Sequence, residues 1–170
     1  MLITRRTKTK DILPFLNDST IQQILDAVDE VPLEKPLIEM TIAEFAETME
    51  EDYVLNFLNE RYVWKAFGKI KSLKRQTEEI TKFLKMNDVK PNKDQESAAI
   101  GVVFPDFVQQ MLLTVTEYFH LSSFDEAEKV KMSNYMLIQQ KQSAEMKFKH
   151  QYDRIIEMKS KQRNGKRGGR

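Results

Sequence analysis

AAIGVVFPDFVQQMLLTVTEYFHL, running from Ala98 to Leu121, is the longest apolar stretch in a chain otherwise dense in charge. Its length is close to that of a membrane-spanning helix, which needs about 20 nearly unbroken apolar residues. Asp106, Gln109, Gln110 and Glu117 interrupt it and Pro105 lies at its middle, so it is expected to be a buried core segment and not a membrane anchor. Pro105 removes one backbone donor, which predicts a break near Phe104. Asp106 is then placed to cap a second half carrying Phe107, Val108, Met111, Leu112, Val115 and Phe119 at helical spacing.

The composition around this stretch points the same way. With only 5 Gly and 5 Pro in 170 residues, and many Glu, Lys, Gln and Met, the chain favours helices over sheets. The expected fold is all-α: an irregular helical bundle with a long C-terminal helix extending from it. The expected divisions are a basic N-terminal arm (1–17), a helical core (18–122), a long helix (123–163) and a disordered basic tail (164–170). The absence of cysteine excludes disulfides, thiolate catalysis and sulfur-ligated zinc. No apolar region with a cleavage site follows the basic N-terminus, so no secretory signal is read.

Moving outward, Ile21, Ile24, Leu25 and Val28 predict a helix starting after Asn17 or Asp18. Pro32 and Pro36 make Val31–Leu37 an extended connector. Thr41 and Glu44 form a capping box, with Met40 and Phe45 as its hydrophobic staple. Glu50–Asp52 marks a turn. Tyr53–Phe67 reads as helix, with a hairpin turning at Asn59–Glu60 as the alternative, and Gly68 is expected to end or bend that element. Ile70, Leu73, Thr77, Ile80 and Leu84 predict an amphipathic helix to about Met86. A loop over 87–92 and a helix from about Lys93 follow. Ser123–Glu126 is a second capping box, and no Gly or Pro occurs from there to Gly165, which predicts one helix approaching 40 residues.

Charge is segregated in blocks. Residues 18–60 hold twelve acids against Lys35, a net of −11, whereas residues 61–93 reach +7 and residues 159–170 carry six cations and no acid. Such blocks either pair within the chain and solvate its surface, or present one face to a partner of opposite charge.

Few residues suggest chemistry. His120 and His150 fall on different elements, adjacent acids such as Glu78 and Glu79 diverge on a helix, and no phosphate loop or metal-ligand spacing occurs. No enzyme activity, cofactor or metal is expected. The candidate sites are surfaces instead. A protein partner would meet the acidic Glu44, Glu47 and Glu50, the adaptable thioethers of Met132 and Met136, and the apolar Phe148 and Tyr152. The distal stripe of the long helix needs a partner in this chain or in another copy, so a homo-oligomer is among the expectations. Nucleic acid is the alternative partner. It would be met by Lys159, Lys161, Arg163, Lys166, Arg167 and Arg170, and by Arg61–Arg75, where Tyr62, Trp64 and Phe67 interleave with cations.

The series Glu117-Tyr-Phe-His-Leu-Ser-Ser-Phe-Asp-Glu-Ala127, followed by Met132-Ser-Asn-Tyr135, resembles the end of small tailed-phage assembly proteins, especially tail-assembly chaperones. The resemblance spans residues 117–135 and leaves the acidic N-terminal half and the basic tail unaccounted for. It implies a small helical virion component or assembly factor that binds another phage protein. The setting it implies is the cytoplasm of a bacterial host or the virion, and it brings no catalytic residues with it.

Overall fold

Local signals place most of the helices. The computed structural model describes residues 4–87 and 105–167, and they form an all-α protein. Its helices are α1 (Asp18–Ala27), α2 (Ile42–Thr48), α3 (Glu51–Phe57), α4 (Val63–Asn87), α5 (Phe107–Phe119), α6 (Phe124–Ala127) and α7 (Met132–Arg167). Short 3-10 turns lie at Thr9–Asp11, Leu13–Phe15 and Leu37–Glu39. Among the described residues there is no sheet, only isolated bridges between Lys8 and Tyr62 and between Thr41 and Lys131.

The expected caps at Asn17, Thr41 and Asp106 do their work, whereas the box read at Ser123–Glu126 is half formed: the Glu126 amide donates to Ser123 Oγ at 3.4 Å, but the Glu126 carboxylate accepts from the Ser122 amide. The Asn17 side chain accepts from the Thr20 amide at 2.9 Å and starts α1. Thr41 and Glu44 exchange bonds, the Thr41 amide donating to Glu44 Oε2 at 2.7 Å and the Glu44 amide to Thr41 Oγ1 at 3.2 Å. Met40 and Phe45, the staple pair, are both buried. Asp106 accepts from the Gln109 amide at 2.8 Å, so α5 begins just after Pro105. Side-chain acceptors at these positions satisfy amides that have no partner inside the helix. The expected loop over 87–92, the helix from Lys93 and the break near Phe104 lie almost wholly outside the described residues.

Two clusters of buried side chains hold the body together. The larger joins Leu37, Ile42 and Phe45 to Met111 and Val115 of α5 and to Met132, Tyr135 and Ile138 of α7. The described half of the central stretch therefore supplies core side chains at Met111 and Val115, with Val108 and Leu112 beside them, but Phe107 and Phe119, expected on the same face, are exposed. The smaller packs Ile12, Ile24 and Val28 against Val63, Ala66 and Phe67. Ile12 belongs to it, so the segment before α1 is not a free arm. The Thr9 amide donates to Arg61 C=O at 3.2 Å and the Val63 amide to Thr7 C=O at 3.1 Å.

Three sequence expectations are corrected. Tyr53–Phe67 is helical, but it is divided between α3 and α4 by a turn at Leu58–Tyr62. Gly68 does not end a helix: it lies buried in the first turns of α4, where the segment after α1 crosses it. A Cβ there would meet Val31 Cγ2 at 2.5 Å and Asp29 C=O at 2.8 Å. The Val31 amide also donates to Gly68 C=O at 3.1 Å. Finally, Ser123 starts only the single turn of α6. The chain breaks at 128–131 because its carbonyls there serve α2: the Ile42 amide donates to Val130 C=O at 2.9 Å and the Ala43 amide to Glu128 C=O at 3.1 Å. The Met132 amide returns a bond to Met40 C=O at 2.8 Å, so the N-termini of α2 and α7 satisfy their free donors on each other's flanks. The long helix thus starts at Met132, and its backbone passes Gly165 to reach Arg167, four residues into the expected tail.

Candidate partner-binding surface

The acidic and basic blocks meet inside the molecule. Arg75 donates to Glu30 at 2.8 Å and to Glu79 at 2.6 Å. Lys69 donates to Glu60 at 2.6 Å and lies 3.8 Å from Glu34, while Lys71 donates to Val28 C=O at 2.9 Å, at the C-terminal end of α1. The Lys69 ammonium, hydrogen-bonded to Glu60, is raised above the ordinary lysine range, and Glu60 is lowered by the same bond. Glu44 is likewise lowered, chiefly by Lys35 and next by the Thr41 amide. Of the acidic trio, Glu44 is therefore a capping and ion-pairing residue, while Glu47 and Glu50 are exposed with no salt bridge among the described residues.

The Arg61–Arg75 patch is engaged in part, with Arg61, Lys65 and Lys74 left exposed. Phe67 is buried, Trp64 packs against the smaller core, and Lys69, Lys71 and Arg75 are bonded within the body. A cleft of about 560 Å³ adjoins this region, between the 30–38 connector, α4 and Met136. Its rim groups Glu30, Arg75 and Glu79 are paired with one another, and Gln76 accepts from the Leu37 amide at 2.8 Å. No group of three or more His, Asp or Glu side chains among the described residues could hold a metal. His120 ends α5 in the left-handed conformation, with φ 53°, and is exposed, as is His150 on α7.

The two methionines proposed as contacts belong to the body. Met132 is completely buried and Met136 packs against the larger core. Thioether flexibility suggested them as contacts, but flexibility says nothing of which face of α7 the body covers.

Phe148 and Tyr152 are different. The body covers α7 through Met132, Tyr135, Ile138 and Ser143, and from Ala144 to Lys161 every side chain is exposed. Phe148 is 69% exposed, Tyr152 54%, Ile155 45% and Ile156 47%. The Phe148 and Tyr152 rings stack with centroids 6.3 Å apart. At about 100° per residue, Ile155 lies roughly 200° around the helix from Tyr135. Phe148 and Ile155 thus point away from the side the body covers, whereas Ile156, five whole turns beyond the buried Ile138, is exposed because the body ends before it. Leu137, eleven residues before Phe148 and hence about three turns back on the same side, is also exposed. Phe148, Tyr152, Ile155 and Ile156 are the distal stripe expected from the sequence; Leu137 was missed, although its spacing of eleven residues from Phe148 carried the signal.

The stripe lies among cations. Lys141 donates to Tyr118 Oη at 3.1 Å and sits 5.0 Å from the Tyr118 ring centre; that hydrogen bond raises its pKa. Lys159 and Lys161 are exposed, and Lys161 pairs with Glu157 at 2.7 Å. Of the other tail cations, Arg163, Lys166 and Arg167 are on the helical backbone, and Arg170 lies outside the described residues. No helix of the described residues is long and apolar enough to cross a membrane.

Compared with family models, curated proteins and solved structures, the chain matches none.

Proposed function

We propose that this chain is a non-enzymatic protein–protein interaction factor that binds through the distal half of α7. One observation carries the reading: beyond Ser143 the helix projects with an apolar stripe that its own body leaves uncovered. A helix with no tertiary contact is marginal in water, because most helical stability in proteins comes from burying an apolar face. A partner that covers Phe148, Tyr152, Ile155 and Ile156 supplies that burial. The resemblance at residues 117–135 suggests the setting, assembly of a tailed-phage particle, with the chain acting as an assembly chaperone or minor virion protein. The test is affinity capture from infected host cells with the wild-type chain and with Phe148→Lys/Tyr152→Lys. Both positions are exposed, so the body stays folded and the partner is expected to be lost from the variant alone. Equal capture by both proteins overturns the reading.

A second reading, nucleic-acid binding, is favoured by one feature: the helix continues through Arg163, Lys166 and Arg167, which sets the tail cations on a projecting rod. It rests chiefly on the tail, because three of the six Arg61–Arg75 cations, Lys69, Lys71 and Arg75, are engaged within the body. Binding that weakens steeply with salt and disappears on removal of 159–170 would support it.

A further inference from the structure

Resting on the reading of α7 as the binding element, we infer that its stripe pairs with the same stripe of a second copy, antiparallel, about a two-fold axis through Tyr152. The stripe is self-complementary when read in both directions from that residue. Four residues before and after Tyr152 stand Phe148 and Ile156; seven before and after stand Glu145 and Lys159. Offsets of four and seven residues return to one face of a helix, so all five side chains share a line. Turning a second copy end for end places Phe148 against the partner's Ile156 and Glu145 against the partner's Lys159, each twice, with Tyr152 meeting its own counterpart. A two-fold interface requires this reciprocity.

Parallel pairing in register fails on charge. It would set Glu145 on Glu145 and Lys159 on Lys159, and like charges facing each other are destabilising. The antiparallel arrangement also opposes the two helix dipoles and sends the two bodies to opposite ends of the pair. Glu145 is available for the exchange, since its own contact with Lys141 is long, at 3.8 Å, and exposed.

The size of the patch sets the strength. Phe148, Tyr152, Ile155 and Ile156 are 45–69% exposed, so two copies bury about 800–1,000 Å² between them. That lies at the low edge of specific interfaces and corresponds to a reversible dimer with a dissociation constant on the order of micromolar.

Sedimentation equilibrium of the full chain from about 1 to 200 μM tests this range. A concentration-dependent monomer–dimer equilibrium is expected. Glu145→Lys and Lys159→Glu should each weaken the dimer about tenfold, because each converts two attractions into two repulsions. The two changes combined should restore it. Circular dichroism checks that each variant keeps its helix content. The chain has no cysteine, so orientation is read directly. A mixture of Glu145→Cys and Lys159→Cys chains should cross-link between the two variants, whereas a parallel dimer would cross-link each variant to itself. A chain that stays monomeric, a dimer indifferent to the single reversals, or a double variant no better than the singles overturns the self-pairing. The broader interaction reading then stands or falls on its own test, capture that depends on Phe148 and Tyr152.

Discussion

Replacing Gly68 by alanine separates helix propensity from packing, because the two push in opposite directions. In an isolated helix the change gains about 1 kcal/mol. In this fold the new methyl would lie 2.5 Å from Val31 Cγ2 and 2.8 Å from the Asp29 carbonyl oxygen. Val31 is β-branched and stiff about χ1, and the Asp29 oxygen is backbone. Neither yields unless the whole 29–31 segment retreats. Overpacking of this kind costs about 1–3 kcal/mol. Retreat also strains the bond from the Val31 amide to Gly68 C=O, worth about 1 kcal/mol. Set against the propensity gain, the net expectation is a loss of about 1–3 kcal/mol. For a chain of this size that lowers the thermal midpoint by roughly 3–10 °C. Urea unfolding followed by circular dichroism measures it, and an unchanged slope would show that the denatured state is not the cause. Val31→Ala in the Gly68→Ala background should return part of the loss by removing the closest contact, and the remainder belongs to the Asp29 carbonyl and to the Val31 Cβ, 3.1 Å away. A Gly68→Ala chain as stable as wild type, or more so, would refute the close approach of the two segments.

Two further outcomes follow from the same structure. Met132→Ala, in the larger core, should destabilise by about 2–5 kcal/mol, while Phe148→Ala and Tyr152→Ala should leave the body's urea midpoint nearly unchanged; comparable losses at all three would show that the distal stripe packs on the body. Stability should also fall in acid. Glu44 and Glu60 have lowered pKa values, so the unfolded chain takes up protons first, near the usual carboxylate value of about 4.3. Their contribution is complete above that pH and disappears as pH drops through the lowered values. Lys69 is raised, so its contribution holds below about 10.4 and is lost on the alkaline side. Urea midpoints should be level from about pH 6 to 9 and decline toward pH 3, less steeply in Glu60→Gln; a Glu60→Gln profile identical to wild type would remove the Lys69–Glu60 pair from the account.

What the sequence determined by itself is local. The caps at Asn17, Thr41 and Asp106, the staple of Met40 and Phe45, and the apolar spacing of α4 and α5 all concern residues within a turn or two of each other. Their hydrogen bonds close inside the same element, so reading them needs no knowledge of what lies across the molecule. The all-α class follows from these signals and from the scarcity of glycine and proline.

Only the tertiary structure decided the rest, because those features join residues far apart in the chain. Gly68 reads as a helix end until Val31 is seen lying across it. Ser123 reads as the start of a long helix until the carbonyls of Glu128 and Val130 are seen bonded to the first amides of α2. The charge blocks read equally as a docking face or as internal pairs, and Arg75 meeting Glu30 and Lys69 meeting Glu60 show that part of each block is paired inside the body. Met132 and Phe148 carry similar apolar signals on one continuous helix. Their different fates arise because the body covers one side of α7 as far as Ser143 and ends there, leaving the opposite side, and everything beyond, to whatever binds it.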